Sequence, residues 1–310
     1  MTSLSTTHQY DRPPHISVCI CSFQRPHCLK RLLAELKTQE TKQLFTYSIV
    51  VADNDSRRSA ETVIRDFRAD SSIPITYCVE PQQSIARARN KAVSNAQGEY
   101  LAFIDDDEVP TQHWLLRLFQ TREQYDVDGV LGPVRRHFDQ PPPRWIADSK
   151  LYERPIHPTG STVGWFEART GNVLLKRSLF SDAEEPFRPE FRAGEDQDFF
   201  RRQIETGRTF IWSADATVYE VVPPARWKRT YMLRKALLRG AMARLQPNCG
   251  VVSIAKSIIA VPAYAIALPA SLVLGQRHFM ILLIRLFDHL GKLLALVGIN
   301  PMREEYVPER

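Results

Sequence analysis

Four consecutive acids, Asp105-Asp106-Asp107-Glu108, stand directly after the apolar run Tyr100-Leu101-Ala102-Phe103-Ile104. Carboxylates packed this closely repel one another, so a cation is expected among them. Hard oxygen ligands with an open side suit Mg²⁺ or Mn²⁺, ions that commonly leave positions for a substrate's phosphates. A metal-diphosphate site is therefore the first expectation. The plainer alternative is an acidic turn capping the next helix, which the pattern opens near Pro110. A second acidic group, Gly194-Glu195-Asp196-Gln197-Asp198, opens a helical pattern through Phe199-Phe200-Arg201-Arg202. The helix dipole alone favours acids in a first turn, so this cluster does not by itself prove chemistry.

The elements that must position these acids are legible upstream. Ile16 to Cys21 reads as a short strand, and Pro26 opens a helix with Leu29, Leu32, Leu33 and Leu36 on one face. Tyr47 to Ala52 is a second strand, followed by Asp53-Asn54-Asp55-Ser56 and a helix through Ile64 and Phe67. Ile75 to Val79, an alanine-rich helix over Ser84 to Ala96, and Tyr100 to Ile104 complete an alternation of four strands with three helices. That order predicts a mostly parallel sheet flanked by helices, with ligands bound at the carboxyl ends of the strands. No glycine-rich phosphate loop follows any of these strands, which disfavours a Rossmann dinucleotide enzyme or a P-loop nucleotidase. Beyond Gly129 the periodicity weakens, and returns at Gly171-Asn172-Val173-Leu174-Leu175.

The formal charge of +6 is modest but unevenly placed. Arg226, Lys228, Arg229, Arg234, Lys235, Arg239, Arg244 and Lys256 are followed by Ser257 to Gly275, which carries no charge, and by a second apolar stretch from Phe279 to Ile299. Within that stretch Arg285, Asp288, His289 and Lys292 are spaced to gather on one helical face. Basic residues abutting an apolar run predict contact with the cytoplasmic face of a plasma membrane, peripheral or re-entrant because Pro262 and Pro269 interrupt the first run. A pair of buried core helices is the alternative. The basic residues show little aromatic interleaving, so a nucleic-acid partner is not expected. Five scattered cysteines, at 19, 21, 28, 78 and 249, give no disulfide framework and read as reduced thiols. The first fifteen residues lack the pattern of a secretory signal.

Together, "VCICSFQRP", "VVADNDS", "SIARARNKAVSNAQGEYLAFIDDDE", "GNVLLKRSLF" and "GEDQDFFRR" resemble, in order, the motifs of family 2 glycosyltransferases of the GT-A fold. The first two, with "VVPPARWKRTYMLRKALLRG", look most like bacterial exopolysaccharide transferases of the succinoglycan-building type. The resemblance implies a GT-A domain over 15–245, and the residue patterns add a polar tail over 1–14 and apolar, membrane-associated helices over 246–310. It implies that Asp53 meets a uracil ring, with Ser22 and Arg25 on the opposite wall of the nucleotide pocket. It places Arg89 near the nucleotide, although a solvated helix position is its plain reading. Asp105 would face the ribose and join Asp107 at the metal, Mg²⁺ or Mn²⁺, with Asp106 on the donor side. Asp196 would be the base and Glu195 would position the acceptor, while Asp198 could simply face solvent. Arg226-Trp227 resembles the Arg-Trp of processive synthases, and Arg226 could meet the diphosphate. Proline stands where those enzymes have glutamine, so transfer of a single sugar is expected.

The function so implied is inverting, metal-dependent transfer of a sugar from a nucleotide-sugar donor, expected to be UDP-linked, to a lipid-linked oligosaccharide at the membrane. A sugar-phosphate nucleotidyltransferase is the alternative enzyme, although "CSFQRPHCLK" lacks its glycine-rich loop. A non-catalytic membrane-associated scaffold is the alternative outside enzymes.

Overall fold

The computed structural model describes residues 12–149, 151–246 and 249–299. Most of the tail expected over 1–14, and residues 300–310 of the C-terminal segment, lie outside the described residues. The first half alternates as β1 (His15–Ser22), α1 (Pro26–Leu36), β2 (Thr46–Asp53), α2 (Glu61–Asp70), β3 (Ile75–Val79), α3 (Ile85–Asn95) and β4 (Tyr100–Ile104). It continues with β5 (Glu108–Pro110), α4 (Trp114–Tyr125), β6 (Gly129–Leu131), β7 (Val134–His137), α5 (Arg144–Ala147), β8 (Asn172–Lys176), α6 (Glu195–Glu205), β9 (Phe210–Trp212) and β10 (Val218–Val221). Three helices follow, α7 (Arg229–Ala243), α8 (Val251–Val273) and α9 (Gln276–Leu296).

The main sheet has the order β3-β2-β1-β4-β8-β6-β9. β1 to β4 run parallel, as their helical crossovers require, and β8 enters antiparallel between β4 and β6. Strand alternation then builds a core on each face. Ile16, Val18 and Ile20 point with Ile49 and Val51 toward Leu29, Leu32, Leu33 and Leu36 of α1. Cys19, Val50, Ala52, Leu101 and Phe103 point the other way, toward Ala88 and Ala92 of α3 and Phe199 and Phe200 of α6. Each fully buried leucine contributes about 2 kcal/mol of apolar transfer, so the α1 face alone anchors that helix. All five cysteines are free thiols.

Two expectations are corrected here. The helix expected near Pro110 starts at Trp114, and Pro110 instead ends β5. No acid lies in the first turn of α4, so Asp107 and Glu108 do not cap it. β5 pairs with β10, which pairs with β7, forming a second small sheet beneath the acidic run. Pro262 and Pro269, expected to interrupt the apolar run, both lie inside a continuous α8. Each removes one intrahelical hydrogen bond, but both rings sit on the exposed side of the helix and meet no packed neighbour there.

The C-terminal helices dock through a small core that joins Met232 and Ala236 of α7, Ile284 of α9 and Ile146 of α5. α8 is reversed relative to a helix packed in water. Its buried residues are Ser257 and Ser271, whereas Ile266 is 80% exposed and Val273 89% exposed. The polar groups face α9: Ser257 Oγ lies 2.9 Å from His289 Nδ1, and Lys292 Nζ donates to Ser253 Oγ at 2.9 Å. Arg239 of α7 pairs with Asp288 at 2.6 Å, so Asp288 serves α7 while His289 and Lys292 serve α8, and these three do not gather on one common face. α8 is long and apolar enough to cross a membrane, and little of it is buried. An ordinary buried core therefore does not describe this helix.

α7 and α9 touch backbone to backbone. A Cβ at Gly240 would collide with the Asp288 carbonyl, and one at Gly291 with the Leu237 carbonyl. Gly240→Ala gains about 1 kcal/mol of helix propensity but forces this backbone contact apart, at an overpacking cost at or above the upper end of about 1–3 kcal/mol, so a net loss of stability is expected. Chemical denaturation should show a lower midpoint for the variant; an unchanged or higher midpoint would contradict the close crossing.

Candidate active site

The acids at the end of β4 are separated into distinct roles by what surrounds them. Glu108 is structural: it is buried, and its Oε2 accepts the Asp105 backbone N–H at 3.1 Å. Gly171 lies under this turn because any side chain there would strike Glu108 Oε1. Asn172, next in sequence, cross-links the two sheets, donating to the Pro133 and Ala216 carbonyls at 3.1 and 2.7 Å and accepting from Trp114 Nε1 at 2.7 Å. Asp107 Oδ2 accepts two guanidinium groups, Arg25 Nη1 at 2.9 Å and Arg226 Nη2 at 2.6 Å. Arg25 Nη2 also lies 2.5 Å from Asp106 Oδ1.

From Asp107 the ion pairs continue. Arg226 Nη1 donates to Glu220 Oε1 at 2.6 Å, and Glu220 also pairs with Arg136 and lies 3.8 Å from Arg154. Strand register explains the convergence, because Glu220 of β10 stands opposite Glu108 of β5 on one side and Arg136 of β7 on the other. Glu220, Arg136 and Arg154 were not anticipated from the sequence. Arg136 and Glu220 stand on strands of four residues, too short for a period, and Arg154 lies in the irregular segment between α5 and β8.

Arg89 joins the two acidic motifs. It is buried, which removes the solvated reading, and it pairs with Glu195 while lying 3.8 Å from Asp105 Oδ1. Glu195 and Asp196 form the first turn of α6, entered through Gly194 in the left-handed conformation at φ +82°. Asp196 Oδ1 accepts the Gln197 backbone N–H at 2.8 Å. Asp198, for which a solvent-facing position was the plain expectation, is fully buried and receives Arg188, Arg201 and Arg202. Burial pushes its carboxyl upward, but the three guanidinium hydrogen bonds outweigh that and hold it below the usual carboxylate range. Arg188 comes from the loop ahead of α6, so Asp198 ties that loop to the helix.

Ser22 and Asp53, expected on the nucleotide side, are register partners at the ends of β1 and β2 but differ in availability. Ser22 is buried beside Asp106. Asp53 is fully buried, and its two oxygens accept from Ala60 N–H, Tyr77 Oη, Asp55 N–H and Ser59 Oγ. The carboxylate thus braces its own loop, with every acceptor position engaged inside the protein.

A hard divalent cation fits the donor chemistry of this corner. Asp105 and Asp107 offer carboxylate oxygens, and both oxygens of buried Asp106 lack an aligned hydrogen bond. Among the described residues no group of three His, Cys, Asp or Glu side chains could hold a metal ion by itself. Such a cation would therefore complete its shell with substrate phosphate oxygens and water, as Mg²⁺ commonly does.

The family model described as glycosyl transferase family 2 matches residues 17–182, which take in β1 to β8 and the acidic run. The chain belongs to that family. The glycosyltransferase is 33% identical over 234 residues, 73% of each chain, to the succinoglycan biosynthesis protein ExoM of Rhizobium meliloti (strain 1021). Its fold resembles the mannosyltransferase PcManGT from Pyrobaculum calidifontis in complex with GDP-Man and Mn²⁺, with a TM-score of 0.62, 16% identity, and 94% of this chain and 91% of that one covered. It also resembles S. aureus TarS 1–349 in complex with UDP, with a TM-score of 0.54, 15% identity, and 96% and 95% covered. These likenesses establish the GT-A fold. As the chain is a glycosyltransferase, the nucleotidyltransferase and scaffold alternatives fall away.

Burial lifts the Glu195 carboxyl from 4.5 to about 7, against the opposing pull of Arg89. The folded glycosyltransferase thus keeps a proton that the unfolded chain releases, and the stability linked to this group is complete below pH 4.5 and lost as pH rises through about 7. Glu195→Gln should remove that slope. Unfolding free energies measured across this window should fall less steeply with pH in the variant than in the wild type; parallel curves would show that Glu195 ionises normally.

Proposed function

We propose that this glycosyltransferase moves a sugar, with inversion, from a UDP-sugar to a lipid-linked saccharide in the synthesis of a bacterial surface or exopolysaccharide. The observation that carries this reading is the buried Arg89, which pairs with Glu195 of the second acidic motif and lies 3.8 Å from the half-exposed Asp105 of the first. Donor and acceptor groups are thereby assigned to two sides of one site. The similarity to ExoM supports the polysaccharide context, and the GDP-Man and UDP complexes of the structural neighbours support a nucleotide-sugar donor.

In this reading Asp196 removes the proton of the acceptor hydroxyl as its oxygen bonds to the anomeric carbon. Attack comes on the face opposite the diphosphate, the bond from that carbon to the donor's phosphate oxygen breaks with its electron pair going to the diphosphate, and the sugar therefore inverts. Glu195 orients the acceptor, while Arg226 and Arg25 lie where the leaving diphosphate gathers charge. Asp105 and Asp107 are the residues that would hold Mg²⁺ or Mn²⁺, and the ion, when bound, supplies further positive charge to the diphosphate. Ser22 and the Asp53 loop form the base side of the pocket, with Asp53 acting on the uracil through the loop it braces.

Asp196→Asn should leave donor affinity unchanged and lower the transfer rate about 10²- to 10⁴-fold. Nucleotide release with membrane extract as acceptor, measured beside equilibrium donor binding, separates the two. Wild-type turnover in the variant would move the base role to Glu195.

The lipid-linked acceptor fits a second feature. The outward apolar face of α8, together with the basic residues of α7, supports attachment at the cytoplasmic face of the membrane, either peripheral or re-entrant. Full-length protein should float with anionic vesicles. Release by high salt would assign the dominant contribution to the basic residues, and release by detergent alone would assign it to α8. A protein that stays in solution with no vesicle binding would contradict membrane attachment.

A further inference from the structure

The turn between α8 and α9 and the short helix α5 face each other across an open cleft of about 610 Å³. Two arginines line it, Arg144 of α5 and Arg277 of α9, together with His278 and the half-buried ring of Trp145. Both arginines are exposed, and among the described residues neither is ion-paired to a carboxylate. Asp148 is the acid in the lining and opposes any bound anion, so the cleft has a formal charge of +1 with His278 neutral. The walls are set by packing: Ile146 is buried against Met232, Ala236 and Ile284, and His278 Nδ1 lies 2.8 Å from the Leu274 carbonyl.

The mouth of the cleft has a different character. Leu274 lines it at 67% exposure, and Val273 beside it continues the bare apolar face of α8. A cationic recess at the end of an apolar track suits a ligand with an anionic head and a long hydrocarbon tail. Guanidinium groups match phosphate oxygens in geometry as well as charge, and an indole ring suits the level of lipid headgroups. The cleft shares no lining residue with the acids and arginines of the active site, which separates it from the donor and from the reacting end of the acceptor.

We propose that this cleft binds the phosphate headgroup of an anionic membrane phospholipid, whose chains lie along the exposed face of α8. The site rests on the membrane attachment proposed above and adds to it a specific headgroup contact that fixes how the catalytic domain sits over the lipid.

Calorimetry on the full-length protein with monomeric short-chain phosphatidylglycerol tests it, with short-chain phosphatidylcholine, inorganic phosphate and farnesyl diphosphate as comparison probes. Saturable binding of phosphatidylglycerol is expected, weakened about thirtyfold by Arg144→Gln with Arg277→Gln. Asp148→Asn should tighten it about fivefold, a gain that misfolding cannot produce. Binding of farnesyl diphosphate in preference to phosphatidylglycerol would overturn the assignment and give the cleft to a lipid-linked diphosphate. Binding of inorganic phosphate alone, or phosphatidylglycerol affinities unchanged in both variants, would overturn it as well. Vesicle flotation of the same proteins keeps the two ideas apart: wild type that floats while the variants bind phosphatidylglycerol unchanged defeats the cleft alone, whereas wild type that fails to float defeats membrane attachment.

Discussion

Charge compensation at the end of β4 is the constraint on which the rest of the structure depends. Buried carboxylates at adjacent positions are strongly destabilising unless cations lie among them. Here the compensation is an alternating series that runs from Asp106 to Arg25, Asp107, Arg226, Glu220 and Arg136. The sequence suggests a metal for this role, and the structure supplies guanidinium groups for it. Arg25 and Arg226 thus carry part of the compensation that a bound cation would add to. Any metal that arrives with a diphosphate meets an Asp107 already shared between two arginines.

That series also explains the architecture around it. The second sheet exists at the point where Glu108, Glu220 and Arg136 must stand in register, and short strands suffice for that. Arg226 precedes α7, which crosses α9 at the two glycine contacts, and α9 in turn holds α8 through serine, histidine and lysine side chains. The active-site ion pairs and the apolar outer helix thus belong to one packed unit. On the other side, Arg89 carries the same compensation to Glu195, so the first turn of α6 is tied to β4 rather than resting on loop geometry.

Much of this was legible because it repeats. The leucine spacing of α1 and the in-out alternation of β1, β2 and β4 follow from periodicity, and the position of the acids follows from the strand that precedes them. Both acidic motifs could be read as functional. What could not be read is which acid each arginine serves, since Arg25, Arg89 and Arg226 reach across separations of 82, 106 and 119 residues. Asp198 looked like a surface acid because its partner Arg188 lies in a loop without a period. The prolines of α8 misled for a different reason: each costs one intrahelical hydrogen bond, and a long apolar helix can continue through that loss.

A titration of UDP into the protein with Mn²⁺, repeated with Asp107→Asn, bears most directly on the claim that the β4 acids and their arginines form a nucleotide-diphosphate site. The wild type should bind UDP with Mn²⁺ and more weakly without it. The variant should lose the metal-dependent part while keeping its fold by circular dichroism, because Asp107 sits at a loop and its arginines retain Asp106 and Glu220. Identical titration curves for the two proteins would remove Asp107 from the site and contradict the assignment.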